Sequence, residues 1–425
     1  MTRKQWYRRI LCMVLLATII YTGYYAYHYI EENIPGKIHV IVNRIGKFDF
    51  KLPVSAKLTS ADEAVVLAGS SDNWSDSLSL QRNSSFSVVS DRLGQYTLSM
   101  KLFGVFPIKN IEVEVLGDTQ VYTCGFPIGI YLETDGILIV GTSKITTAMG
   151  IAAEPAYSVL QIGDYILEVD GKRLESKAEF VEIVKQSGGR ELVLTIRRKE
   201  EVSKVRITPV KDSSGAYKLG IWVRDNTQGI GTLTYITADG RFGALGHGVS
   251  DADTKAIMEC RDGYLYDAEI LSIIKGEAGA PGGLSGIIHY GKNNRLGSIK
   301  VNSSDGIFGE SYDKLISQAE GEAMDIALKQ EVKKGQAYVR CCVDGEIKDY
   351  EIQITKLNTS EYNMNRGMEI RVTDEELLKL TNGIVQGMSG SPIIQNGKLV
   401  GAVTHVFVND STKGYGIFIE NMLEH

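Results

Sequence analysis

The pattern of apolar and polar positions divides the chain into three regions. Residues 10–30, ILCMVLLATIIYTGYYAYHYI, form an apolar run without a formally charged side chain, long enough to cross a bilayer as a helix. From Lys37 to about Val115, short apolar runs such as IHVIVN and YTLSMKLFG alternate with polar stretches rich in Ser, Asp and Asn, the period-two signature of strands joined by turns. Beyond residue 120 the strand pattern continues, punctuated by turns at Asp170-Gly171, Asp239-Gly240 and Asn396-Gly397 and interrupted by one amphipathic helical segment from about Lys177 to Gln186. The elements predict a mainly β chain behind one apolar helix.

Composition sharpens this picture. With 425 residues the chain is too long for one ordinary core, so two or three domains are expected. Glycine is abundant, at 45 residues, and proline scarce, at 8, which suits many short strands joined by tight turns. A net charge of -6 leaves no basic footprint and argues against nucleic acid as a partner. Arg3, Lys4, Arg8 and Arg9 precede the apolar run and Glu31 and Glu32 follow it, which places the N-terminus in the cytoplasm and the rest of the chain across the membrane. No small-x-small cleavage site follows the run, so an uncleaved signal anchor is expected.

Candidate chemistry is sparse. Cys12, Cys124, Cys260, Cys341 and Cys342 show neither a spaced disulfide framework nor Cys/His ligand spacing, so no metal is expected. The glycine runs lack the Gly-Lys-Ser/Thr ending of a phosphate loop, and no cofactor is expected. Two glycine-framed residues stand out: His247 in GALGHG and Ser389 in QGMSGSP. A serine hydroxyl needs a base to take its proton and preorganised N–H donors for the oxyanion, and the amides of Gly387 and Ser389 are placed to supply those donors. Histidine precedes serine in the chain and the segment after Ser389 reads as strand, so a β-barrel plan fits better than the strand-serine-helix elbow of the α/β-hydrolases. Ser285, in PGGLSGII, mimics a nucleophile turn but reads as a flexible loop; Thr404 and His405 are candidates for substrate contact or for packing.

Residues 120 to about 210 resemble a PDZ domain of the bacterial protease-associated kind, most specifically at Ile162-Gly163-Asp164-Tyr165-Ile166. The resemblance implies that the amides of Pro127, Ile128, Gly129 and Ile130 receive a peptide carboxylate, and that the helix face carrying Ala178, Val181 and Val184 forms the opposite wall.

The anchor, the PDZ pattern, GALGHGVSDADT and GIVQGMSGSPIIQNGKLVGAVTHVFVNDSTKGYGIFIENML together resemble the SpoIVB peptidase family of endospore-forming bacteria. That resemblance implies a chymotrypsin-like double β-barrel with Ser389 as nucleophile, His247 as base and Asp374 as acid. Asp374 in TDEELLKL also reads as a helix N-cap, and Asp305 has the more usual spacing from His247. The implied layout is a basic N-terminus (1–9), a transmembrane anchor (10–30), a β-rich connecting domain (31–118), a PDZ domain (119–210) and a serine peptidase domain (211–425). The implied role is endopeptidase action during sporulation, between forespore and mother cell, from the forespore inner membrane. Its substrates would be the chain itself and an inhibitory subunit of the SpoIVF complex, whose loss starts pro-sigma-K processing. The alternative is a membrane-anchored PDZ scaffold whose protease-like domain is inert.

Overall fold

The apolar run becomes a single helix, α1 (Arg3–Asn33), in a computed structural model that describes residues 3–49, 54–59, 65–68, 74–75, 77–79, 85–102, 106–117, 119–319, 323–359 and 363–425. Its span from Arg3 to His28 is long and apolar enough to cross a membrane, and its most apolar stretch is exposed rather than buried inside the protein. Inside the span the Thr18 and Thr22 hydroxyls donate back to the carbonyls of Val14 and Thr18, which satisfies them where water is absent. Ile34 follows the helix and is already buried in the next domain, where Lys109 Nζ donates to its carbonyl at 2.9 Å. The helix therefore leads directly into folded structure.

Among its described residues, that domain holds a five-stranded and a four-stranded sheet. Ile38, Val40, Phe86, Val88, Leu98, Ile111 and Val113, from alternate strand positions, make its core.

Two long strands organise the remainder of the chain: β1 (Pro127–Thr142) and, after the PDZ elements, β4 (Ile221–Thr237). Between them lie β2 (Tyr165–Val169), α2 (Lys177–Gln186) and β3 (Leu192–Arg198). The far half of β1 pairs with β2, which pairs with β3, and Phe180 and Val184 of α2 pack on this sheet with Ile139, Ile166, Leu192 and Leu194. Ser176 caps α2 by accepting from the Glu179 amide. Asp164, almost fully buried, accepts two hydrogen bonds from the Arg198 guanidinium, at 2.8 and 2.7 Å, and one from the Gln161 amide. This gives the Gly163-Asp164 mark of the sequence its structural use.

The near half of β1 joins β4, β5 (Arg241–Ala244), β6 (Cys260–Ile274), β8 (Arg295–Ser303) and β9 (Gly306–Ser311) in a first barrel. β1 pairs with β6, β6 with β8, β8 with β9, β9 with β5, β5 with β4, and β4 again with β1. Between β6 and β8, β7 (Gly283–Ile288) pairs with β6 in a hairpin that extends away from the barrel. A second barrel is closed by β10 (Gly335–Cys342), β11 (Ile347–Leu357), β12 (Met368–Val372), β13 (Pro392–Gln395), β14 (Lys398–Phe407) and β15 (Asp410–Phe418). Helix α3 (Glu375–Thr381) links β12 to the Ser389 loop, and α4 (Ile419–Met422) follows β15. The chain is mainly β, and the double β-barrel expected from the sequence is present as two six-stranded barrels.

Both β1 and β4 run without a break from the PDZ sheet into the first barrel: Gly141 and Thr142 pair with Trp222 and Ile221, while Pro127 to Glu133 pair with Thr232 to Asn226. The expected boundary at 119 lies before β1 and that at 211 before β4, whereas the PDZ elements begin within β1 and end within β4, as an insertion between two barrel strands.

Candidate active site

Helix α3 ends at Asn382, whose left-handed conformation turns the chain toward the loop Val385 to Ser391. Two glycines in this loop have conformations that other residues rarely adopt, with φ of 99° at Gly387 and 94° at Gly390. A Cβ on Gly390 would lie 2.1 Å from the Thr232 carbonyl oxygen, so only glycine lets the loop approach β4 this closely.

That approach exhausts the loop's carbonyls. Val385 O accepts from the Met388 amide, Gln386 O from the Leu284 amide and Met388 O from the Ser391 amide. Thr232 takes two more, donating from Oγ1 to Gly387 O at 2.8 Å and from its amide to Ser389 O at 3.0 Å. Thr234 Oγ1 donates to Gly390 O at 2.7 Å. The amides of Gln386, Met388, Gly390 and Ser391 are bonded to Gly282, Val385, Val403 and Met388. From Gln386 to Ser391, only the amides of Gly387 and Ser389 have no partner among the described residues.

Both residues line a cleft of about 860 Å³ between the barrels, and so do His247, Thr404 and His405. His247 follows β5 on a turn in which Leu245 and Gly246 have left-handed φ of 70° and 68°. Its Nδ1 lies 2.9 Å from the Gly248 carbonyl. A carbonyl only accepts, so Nδ1 carries the proton in the neutral ring and Nε2 is left as a basic nitrogen. Burial pushes the His247 pKa below its ordinary value, against the Gly248 carbonyl, which favours the protonated ring. The His405 ring lies 4.8 Å from that of His247, centroid to centroid. Desolvation, then the charges of His247 and Arg366, push His405 down to about 4. The Ser389 hydroxyl donates to the Thr404 carbonyl at 2.8 Å, so it must rotate away from that carbonyl before its proton can pass to a base.

The structure brings Ser389, His247 and the two free amides to one cleft and does not bring Asp374 to them. Asp374 caps α3: Oδ1 accepts from the Leu377 amide at 3.0 Å and Oδ2 from the Glu351 amide at 3.3 Å. Asp305 is turned toward His425, with Oδ2 3.2 Å from Nε2. Among the described residues no carboxylate bonds the His247 ring, whose Nδ1 partner is the backbone of Gly248. Ser285, expected in a flexible loop, sits in β7 opposite Ser272. No group of three His, Cys, Asp or Glu side chains among the described residues could hold a metal ion.

The PDZ groove also lies elsewhere than expected. Pro127, Ile128, Gly129 and Ile130 pair with β4 inside the first barrel, the last three also with β6, and Ile128 and Ile130 are buried in its core. The groove of the PDZ elements is a cavity of about 480 Å³ between α2, with Val181 and Val184, and the segment from Leu219 to Val223. The loop-and-strand pattern read at Pro127 recurs as Lys218-Leu219-Gly220-Ile221 at the end of the module, with Gly220 at φ 70°. Thr232 and Thr234 were the other residues that pattern reading missed. Two threonines at strand spacing look like ordinary strand formers, and only their burial shows that each hydroxyl needs a partner.

Two family models match separate parts of the chain. Residues 215–423 match the family model described as SpoIVB peptidase S55, and residues 152–198 match a PDZ domain model. Among curated proteins, the probable membrane metalloprotease ARASP2, chloroplastic, of Arabidopsis thaliana is 30% identical over 115 residues. The match covers 26% of this chain and 24% of that protein, so the chain spans about a quarter of the curated relative. Among solved structures, the PDZ domain of an SdrC-like protein from Listeria monocytogenes is 24% identical, with a TM-score of 0.18, over 21% of this chain and 87% of that one. The active form of the Rv3671c protease from M. tuberculosis is 13% identical, with a TM-score of 0.28, over 47% of this chain and 74% of that one.

The site's geometry sets how activity depends on pH and on Asp374. Because burial lowers the His247 pKa, the ring stays neutral and basic until the pH falls through that lowered value. The rate of Ser389 modification by a fluorophosphonate should therefore hold down to pH ~6.5 and be lost only below it; an acid limb centred above neutral pH would contradict the assignment. Asp374→Asn keeps a side chain able to cap α3 and should retain most of the activity, whereas Asp374→Ala should cost ~1 kcal/mol of stability in a denaturant titration. An Asp374→Asn enzyme that folds normally yet loses ~10⁴-fold in kcat, as an enzyme does when its orienting acid is lost, would restore Asp374 to contact with His247.

Proposed function

Residues 215–423 belong to the SpoIVB peptidase S55 family, and from that premise we propose that the protein is a membrane-anchored serine endopeptidase. The observation that carries this reading is the pair of free amides at Gly387 and Ser389, facing the cleft that His247 shares. Ser389 Oγ attacks the peptide carbonyl while His247 Nε2 takes its proton, and the Gly248 carbonyl holds the Nδ1–H as the ring becomes cationic. The carbonyl oxygen gains its negative charge against the two amides. The imidazolium then protonates the leaving amine, and a water activated by the same nitrogen releases the acyl group. Asp374 supports this site through the cap of α3, the helix that leads into the loop.

The family resemblance supplies the physiological reading. Helix α1 anchors the enzyme in the forespore inner membrane, with the basic N-terminus in the forespore and the barrels in the space facing the mother cell. There it cleaves itself near the N-terminus and an inhibitory subunit of the SpoIVF complex, which starts pro-sigma-K processing. A peptide segment adds as a strand beside Ile221 to Val223 in the groove walled by α2. The same strand, β4, lines the catalytic cleft at Thr227 to Ile230, so a peptide in the groove touches the strand that also shapes the cleft.

The test is purified Ser389→Ala and His247→Ala protein. Each should lose ~10⁴-fold or more in self-cleavage, and the double variant should be no worse than either single one, because the two groups act as a unit. Undiminished cleavage by Ser389→Ala would leave the inert scaffold as the better reading.

A further inference from the structure

The glycine-rich stretch Lys275 to Leu284 has no role in the chemistry above, yet it reaches across the molecule. It is the tip of the β6–β7 hairpin, which starts in the first barrel and docks on the second. Gly276 donates its amide to Thr381 O at 3.0 Å, and Asn382 Nδ2 donates to Gly276 O at 2.6 Å. Lys275 Nζ donates to Lys379 O at 2.6 Å and the Gly279 amide to Val408 O at 2.8 Å. Ile273 and Leu284 pack against the second barrel's core.

The end of the tip grips the nucleophile loop. Gln386 is held on both sides: its amide donates to Gly282 O at 2.9 Å and its carbonyl accepts from the Leu284 amide at 2.8 Å. The Gln386 carbonyl and the Gly387 N–H belong to one planar trans peptide unit and point in opposite directions. Fixing the oxygen on Leu284 therefore aims the Gly387 N–H away from the hairpin, into the cleft. If this bond is released, that peptide is free to turn over, and the turn replaces an oxyanion donor with a carbonyl oxygen.

We propose that the hairpin tip, residues 275–284, is a positioning element for the oxyanion loop, and that its docking on the second barrel sets whether Gly387 is aimed for catalysis. The inference rests on the serine peptidase reading, with Leu284 and Gly282 as the positioning residues and Gly276 and Asn382 as the dock.

The dock can be loosened without touching the cleft. A Cβ on Gly276 would lie 2.8 Å from Ser411 Cβ, so Gly276→Ala pushes the tip outward, and adding Ser411→Gly makes room again. Asn382→Gly keeps the left-handed turn and removes only the side-chain bond to Gly276. The measurement is labelling of the full-length, detergent-solubilised protein with a biotinylated fluorophosphonate, resolved into the reversible binding constant and the maximal rate. Both variants should lower the maximal rate ~10-fold or more, in line with impairing one oxyanion donor. The binding constant and the thermal midpoint should change little. The Gly276→Ala/Ser411→Gly pair should recover most of the rate lost by Gly276→Ala, and amide exchange across residues 384–388 should rise and fall with it. Wild-type maximal rates in both variants would overturn the inference and leave the serine reading standing. A wild-type protein that takes no label at Ser389 would overturn both.

Discussion

One constraint governs the catalytic end of this molecule: from Val385 to Gly390 every backbone carbonyl is already engaged. A peptide unit whose oxygen is held cannot turn its N–H elsewhere, so the amides of Gly387 and Ser389 are left facing the cleft by default. No side chain in the loop does this. The carbonyls are held by Thr232 and Thr234 of β4, by Leu284 of the β6–β7 hairpin, and by turns inside the loop. The loop comes from the second barrel, but three of its six carbonyls at the contact with β4 and one at the hairpin are held by the first. The seam between the barrels is therefore what sets the geometry of the site.

The same dependence links the site to the rest of the chain. β4 carries Ile221 to Val223 along the PDZ groove, Thr227 to Ile230 along the cleft, and Thr232 and Thr234 against the nucleophile loop. Since β1 and β4 pass between the two folds without a joint, the PDZ elements have no flexible linker through which to tumble. At the other end, α1 passes into the connecting domain at Ile34, and that domain meets the protease where buried His39 lies against Glu420 of α4. The apolar helix, the groove beside α2 and the cleft that holds Ser389 and His247 are thus joined by packed structure.

How much of this was legible in the sequence depended on whether a feature is local. Helices α1 and α2, the abundance of strands and the two glycine-framed residues His247 and Ser389 follow from runs, periods and turns within a few positions of each other. Features set by distant pairing were not legible. Pro127 to Ile130 look like a carboxylate loop, but whether such a loop faces a groove or a barrel core depends on partners more than ninety residues away, Gly229 to Thr232 and Leu265 to Asp267. Asp374 shows the reverse. Its local reading as an N-cap describes what its oxygens do, whereas the role implied by the resemblance required an approach to His247 that the fold does not make. Thr232 and Thr234 carried no signal, because a buried hydroxyl and an exposed one are the same letter.

The origin of the oxyanion site can be seen in a crystal structure of the enzyme inactivated by a small fluorophosphonate. A phosphonyl group should be bonded to Ser389 Oγ, with its oxygen within ~3 Å of both the Gly387 and Ser389 amides and Gln386 O still on Leu284. A phosphonyl oxygen that points to solvent, or a Gly387 amide turned away from it, would contradict the claim that the loop's engaged carbonyls create the oxyanion site.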